Sequence, residues 1–199
     1  MPDDEADAFR LEIWDWVKEA GIEDEFEQKE LDLFDDAVEK SHQDWLDVWW
    51  RVEGLAVLAW ALHLHEPLVY DELVVPAEVH DAVGLFDKKE GIDERLKAVR
   101  IRSHSELQQE QKHLLVVHWR LRDLFLRPMA MDFVAFSKEG WCAPFDVSRF
   151  NIIDGDLALK GQWLMEVDDD DIDLCQSIAR ERHHAINWLT GWHPVYSEV

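Results

Sequence analysis

The chain has 199 residues, a formal net charge of −24 and 47% hydrophobic residues. The hydrophobic content can fill a sizeable core, which excludes an intrinsically disordered chain. Because a strongly negative protein repels phosphate backbones, the composition argues against nucleic-acid binding and indicates a basic partner instead. At this length we expect one domain, with at most a small attachment.

The charge is distributed unevenly along the chain. Residues 1–50 contain 18 Asp or Glu and 4 Lys or Arg, a local net charge of −14. Residues 95–127 contain 8 basic and 3 acidic residues, a local net charge of +5. Two interpretations are open. Either the two surfaces are paired and solvated within the fold, as charge runs usually are, or the acidic segment faces a basic partner.

Several features predict a cytoplasmic protein without membrane association. The N-terminal residues lack the apolar core of a signal peptide. The longest apolar run, residues 54–62, has nine residues, whereas a membrane span needs about 20. Cys142 and Cys175 show neither the spacing of metal ligands nor that of a disulfide framework, which fits a reducing compartment.

The first part of the chain is predicted to be helical. Residues 6–20 have apolar positions at helical spacing, and Gly21 is a natural stop. A second acidic helix is expected over about 25–40. Ser41 is a predicted N-cap for the strongest helix, residues 42–64, whose second half is apolar nearly all round. We place this helix at the centre of a bundle, with Trp45, Trp49 and Trp50 in the core.

The second part combines helices with a small β element. Pro76 begins a short predicted helix, and Ser103 opens a capping box for a long helix that reaches about Arg127. Residues 128–167 contain two short apolar runs with glycine turns, which predict a hairpin. The acidic run Asp168–Asp173 precedes the last helix and complements the positive end of its dipole.

These elements predict a mainly α fold, a single-domain helical bundle with a small β-hairpin insertion. We expect residues 1–40 to form an acidic helical N-terminal segment packed on the domain. Residues 41–199 are expected to form the helical domain, with the insertion at about 128–167.

Ionisable residues occupy the apolar faces of three predicted helices. Arg182 interrupts the apolar stripe of the last helix. His118 and Arg122 fall in the stripe of the long middle helix, and Glu53 falls in that of the central helix. Isolated buried charge is costly, so these groups should be paired if they are buried. We expect Arg182 to meet Glu53 or Asp123 near His118.

Three interpretations of this cluster are open: a buried salt-bridge network, a cleft for an anionic ligand or acid–base chemistry, and a metal site. The candidate catalytic residues are Glu53, His118 and Glu181. The candidates for ligand binding or for a buried ionic network are Arg51, Glu53, His118, Arg122, Asp123, Arg182, His183 and Asn187. We predict no metal and no cofactor, because the histidine spacings match no known ligand set and no phosphate-binding glycine loop is present.

The same residues carry a family resemblance. The segments WWRVEGLAVLAWALHL (49–64), VVHWRLRD (116–123) and RERHHAINWLTG (180–191) resemble, in this order, the bacterial domain-of-unknown-function family 4272. The resemblance covers roughly residues 43–199 and implies a helical domain without an established activity. Its motif residues are Arg51, Glu53, His118, Trp119, Arg122, Asp123, Glu181, Arg182, His183, Asn187 and Trp188. His184 stands where the family pattern has an aromatic residue, often Tyr, which argues against a metal site at this histidine pair.

Two functions are open. We favour a non-catalytic acidic interaction protein that binds a basic protein, as an immunity protein binds a toxin. The alternative is an enzyme or a small-anion-binding protein with an Arg/His/Glu site between three helices. Convergence of Glu53, His118 and Arg182 on an accessible pocket would support the alternative. Full burial with every charge paired would instead support a structural clamp.

Overall fold

The computed structural model describes residues 3–35 and 37–196, which form eight α-helices and a small antiparallel sheet. The helices are α1 (Asp3–Ala20), α2 (Gln28–Asp32), α3 (His42–Ala61), α4 (Pro76–Val83), α5 (Lys89–Ala98), α6 (His104–Leu126), α7 (Phe133–Glu139) and α8 (Asp169–Leu189). The strands are β1 (Ile152–Ile153), β2 (Asp156–Leu159) and β3 (Gln162–Trp163). The predicted mainly α fold is confirmed, and a third strand extends the predicted hairpin.

The central helix α3 begins at its predicted N-cap. The Ser41 hydroxyl accepts the Asp44 N–H at 3.2 Å, and the Asp44 carboxylate accepts the Ser41 N–H at 2.7 Å. The second half of α3 is largely buried. In the first half the expectation of core tryptophans is wrong, because Trp45 is 45% and Trp49 is 74% exposed. Apolar spacing does not distinguish a face that packs inside the chain from a face that stays open.

The acidic segment is less helical than the sequence predicts. In place of one helix over about 25–40, the structure has a 3-10 turn at Glu23–Glu25 and the short α2. Phe34 turns back to stack on Trp14 of α1, with 4.8 Å between the ring centroids. Phe26 packs edge-on against both rings. Contact among these three half-buried aromatic rings favours an early end of the helix.

The sheet is a meander built on two glycine turns. β2 pairs with β1 on one side and with β3 on the other, both antiparallel. Asp154 and Gly155 have φ angles of 51° and 82°, and Lys160 and Gly161 have φ angles of 50° and 75°. Two-residue hairpin turns of type I′ require this left-handed backbone at both positions. The inner strand β2 is buried throughout.

The core is organised around α6 and α8. One apolar cluster joins them to the sheet and includes Leu121, Leu157 and Cys175. The other joins them to α3 and includes Val57 and Ile186. The α6 and α8 helices therefore contribute to both clusters. Among the helices of the described ranges, none combines the length and apolarity that crossing a membrane requires.

Arg120 of α6 and Asp156 of β2 form a fully buried ion pair, with both side chains 0% exposed. The Arg120 Nε and Nη2 atoms donate to the two carboxylate oxygens at 2.8 and 2.6 Å. The same carboxylate accepts the Met131 N–H at 3.1 Å. This bidentate pair fixes the sheet and the α6–α7 connection to α6.

Replacement of Arg120 by Ala is expected to lower the free energy of unfolding by about 3–5 kcal/mol, because the Asp156 carboxylate would stay buried without its partner. Urea unfolding of the wild type and the variant measures the difference. Arg122→Ala, on the exposed face of the same helix, is the matched control and should change stability by less than about 0.5 kcal/mol. Equal effects of the two substitutions would contradict this account of the pair.

Candidate functional site

Arg182 of α8 and Glu53 of α3 meet in a buried ion pair, and each side chain is 1% exposed. Arg182 Nε donates to Glu53 Oε2 at 2.8 Å, and its Nη1 and Nη2 donate to the Val69 and Glu72 carbonyls at 2.6 and 2.7 Å. Glu53 Oε1 accepts the Val74 N–H at 3.0 Å. Every guanidinium nitrogen and both carboxylate oxygens are bonded. The pair therefore clamps α3, α8 and the loop after α3, and it presents no open face to a ligand.

A second cluster joins α3, α8 and the chain beyond α8. Glu181 Oε1 accepts hydrogen bonds from Arg51 Nη1 at 3.2 Å and from the Tyr196 hydroxyl at 3.1 Å. The Arg51 guanidinium carbon lies 4.6 Å from the centroid of the Tyr196 ring. Gly54 permits this approach, because a Cβ there would lie 2.0 Å from the Tyr196 hydroxyl oxygen. Burial and the adjacent Glu181 carboxylate raise the pKa of Tyr196, so its hydroxyl stays protonated and donates.

His118 of α6 and His183 of α8 face each other, with their Nδ1 atoms 3.0 Å apart. Burial is the main cause that lowers the pKa of each imidazole to about 4, so both are neutral at pH 7. Asn187 Oδ1 accepts from the Gln111 amide at 2.8 Å, and its own amide nitrogen donates to His183 Nε2 at 3.1 Å. The network therefore assigns the His183 proton to Nδ1, which donates to His118 Nδ1.

We expected Arg182 to meet Glu53 or Asp123, and it pairs with Glu53. The expected inward direction of Arg122 is wrong. Arg122 is exposed, and Asp123 lies 3.7 Å from Arg120 instead of near Arg182. Because α8 covers one side of α6 and the sheet another, the buried face of α6 runs through Arg120. At 3.6 residues per turn, Arg122 lies about 200° around the helix from Arg120 and so points outward.

Arg120, Asp156 and His113 are buried polar residues that sequence reasoning missed. Arg120 lies four residues after Val116 and four before Leu124, both buried, so this spacing carries a signal for an inward arginine. Asp156 carries no such signal. It directly follows a glycine turn, where Asp is common for conformational reasons alone.

The cysteines and histidines give no indication of a metal centre. Burial is the main cause that raises the pKa of the Cys175 thiol to about 11, which keeps it protonated and unreactive at pH 7. Cys142 is also buried and free. Within the part of the chain that the structure describes, no three His, Cys, Asp or Glu side chains are grouped as metal ligands.

Replacement of Glu53 by Ala is expected to reduce the free energy of unfolding by about 3–5 kcal/mol, because Arg182 would remain buried without its counterion. Chemical denaturation followed by tryptophan fluorescence measures the loss. Glu66→Ala removes an exposed carboxylate from the loop after α3 and serves as the control, with an expected change below about 0.5 kcal/mol. If Glu53→Ala were as stable as the wild type, the ion pair would not be what holds α3 and α8 together.

Stability is expected to fall as the pH is lowered from 7.5 to 4.5. Unfolded histidines have a pKa of about 6.5, whereas His118 and His183 have a pKa of about 4 in the folded protein. Between these values the unfolded chain binds protons that the folded chain does not bind. The stabilisation is therefore complete above pH 6.5 and is lost as the pH falls toward 4.

Urea unfolding across this pH range tests the assignment to the histidine pair. The double variant His118→Leu/His183→Leu should have a shallower pH dependence than the wild type. His104→Gln, at an exposed position of α6, should retain the wild-type slope. If the double variant kept the wild-type dependence of stability on pH, other titratable groups would be responsible for that dependence.

The comparisons with known proteins concern mainly the first two thirds of the chain. A family model described as Domain of unknown function (DUF4272) matches residues 8–133, from α1 to the first residue of α7. This range includes the acidic segment that the resemblance over 43–199 left out, and it ends before α8. No curated protein and no solved structure gives a match. Because the model matches more than half of the 199 residues, the chain belongs to the Domain of unknown function (DUF4272) family.

Proposed function

We propose that this protein is a non-catalytic interaction protein that binds a basic protein partner through a groove beside α3. The groove has a volume of about 470 Å³. The acidic segment lines it with Glu25, Glu27 and Glu30, and α3 lines it with apolar residues that include Val48 and Val52. Such a groove is complementary to a Lys or Arg side chain, because the aliphatic stem packs on apolar atoms while the charged head reaches the carboxylates.

The apolar side of the groove continues along α3 toward exposed tryptophans. Trp45, Val48 and Val52 are separated by three and four residues and therefore share one face of the helix. Trp49 lies next to this face and is 74% exposed. Exposed tryptophans support a protein-binding surface, because they bury a large area on binding and are frequent hot spots.

The charge around the groove supports a basic partner. Glu25 is exposed, and residues 1–50 carry the local charge of −14 derived above. Arg51 also lines the groove, but Glu181 pairs with it at 3.2 Å. An acidic surface of this kind accelerates association with a basic protein and makes binding sensitive to salt.

A catalytic site at Glu53, His118 and Glu181 has less support. Glu53 is sealed by Arg182, and Glu181 is bonded to Arg51. His118 bonds to the His183 imidazole, and among the described residues no carboxylate is bonded to it that would activate it as a general base.

Selection of random displayed peptides on the purified protein is expected to enrich sequences that combine Lys or Arg with apolar residues. Glu25→Lys reverses one charge of the groove. This variant should bind the enriched peptides about tenfold or more weakly than the wild type does. The affinity of the wild type should also fall as the salt concentration rises. Fluorescence polarisation of a labelled peptide measures both effects.

The matched control is Glu139→Lys, which makes the same charge change at an exposed position of α7. Its affinity for the enriched peptides should equal that of the wild type. If both variants weakened peptide binding equally, the overall charge of the protein, and not the groove, would explain the effect. Enriched peptides without basic residues would contradict the proposal itself.

A further inference from the structure

An open cleft of about 750 Å³ lies between α6, the end of α8 and the α7–β1 connection. This volume is in the range of small-molecule sites, about 300–1,000 Å³. The cleft shares no lining residue with the groove beside α3. Carboxamide side chains are prominent in its polar lining, namely Gln108, Gln109, Gln111 and Asn187.

The polar wall of the cleft is held in place by its own hydrogen bonds. The Gln111 amide nitrogen donates to Asn187 Oδ1 at 2.8 Å and to the Thr190 hydroxyl at 3.0 Å. Asn187 in turn donates to His183 Nε2 at 3.1 Å. These bonds fix side chains of α6 and α8 relative to one another, so a ligand would meet an ordered polar surface and bind with a smaller entropic cost.

Exposed tryptophans also line the cleft. Trp141 and Trp192 are 64% and 73% exposed. Trp141 packs edge-on against Trp119 at 6.0 Å between centroids, and Trp119 stacks on Phe136 at 4.3 Å. The exposed Trp141 ring is therefore braced by an aromatic stack, which is typical of a surface that receives a partner.

His113 contributes a buried polar atom to the cleft. Its side chain lines the cleft, is 6% exposed and stacks on Phe150 with 4.4 Å between the ring centroids. Within the described ranges, His113 Nδ1 has no hydrogen-bond partner. Buried polar atoms are nearly always bonded, so this ring nitrogen is a candidate contact for a ligand.

The charges at the cleft are balanced. Lys112 and Arg149 line it together with Asp146. Arg149 pairs at 2.7 Å with Glu110, which is buried, and Lys112 Nζ donates to the Pro144 carbonyl at 2.8 Å. The two cations are thus matched by two carboxylates, and the cleft offers no net positive charge to an anion.

We propose that this cleft binds a neutral polyhydroxylated ligand, a mono- or oligosaccharide. A hydroxyl both donates and accepts hydrogen bonds, and so does a carboxamide, which makes the lining of Gln and Asn complementary to sugar hydroxyls. The apolar C–H face of a sugar ring packs on an exposed aromatic ring such as Trp141. Balanced charge favours a neutral ligand over an anion. This site is distinct from the groove proposed for a basic protein.

A glycan microarray that contains neutral, sialylated and sulfated saccharides tests the proposal, followed by calorimetric titration of the best-bound glycan. Binding of neutral glycans is expected. Trp141→Ala and Gln108→Ala alter exposed side chains of the cleft and should each weaken binding by about tenfold or more, through loss of stacking or of a hydrogen bond.

Trp49→Ala and Gln43→Ala are the matched controls, since both residues are exposed on α3 and outside the cleft. They should bind the glycan as the wild type does. Failure to bind any glycan, binding of charged glycans alone, or equal effects of cleft and control variants would overturn the proposal. Glu25→Lys, which tests the groove, should leave glycan binding unchanged, so the failure of one proposal is distinguishable from the failure of the other.

Discussion

The ion pair between Arg182 and Glu53 determines how α3 and α8 fit together. Two charges removed from water lose more solvation than their attraction restores unless the remaining polar atoms are also bonded. Here the loop after α3 supplies those bonds through the Val69 and Glu72 carbonyls and the Val74 N–H. A shift of α8 by one residue would break the three bonds of Arg182, to Glu53 and to the Val69 and Glu72 carbonyls, at once. Hydrogen bonds are directional whereas apolar contacts are not, so the ion pair adds a directional constraint on the register of α8.

Arg120 and Asp156 provide the same constraint between α6 and the sheet. Both ion pairs therefore fix helices that contribute to both apolar clusters, with Arg182 on α8 and Arg120 on α6. The shape of the cleft between α6 and α8 depends on this arrangement. Gln111 and Asn187, on α6 and α8, can hydrogen-bond at 2.8 Å only while the two helices keep their relative position.

The features that could be predicted from the sequence are those that depend on neighbouring residues. The Ser41 and Ser103 caps and the two glycine turns of the sheet follow from local backbone chemistry. The inward direction of Arg182 follows from its position in an apolar stripe. By contrast, the outward direction of Arg122 and the exposure of Trp49 depend on which elements cover α6 and α3. The cleft likewise forms from a loop and two helices that are distant in sequence, so no local sequence pattern predicts it.

The distribution of charge separates the two proposed binding surfaces by their response to salt. The buried Arg120 and Arg182 are each paired with a buried carboxylate, and much of the excess of acidic residues lies on exposed surfaces such as that of Glu25. A partner of the groove would lose affinity as salt screens this charge, since exposed charges more than about 10 Å apart are largely screened at 0.1 M salt. A neutral ligand in the cleft gains little from long-range charge and depends on stacking and short hydrogen bonds. Ionic strength would therefore change one interaction strongly and the other weakly, because the same fold concentrates charge at one surface and balances it at the other.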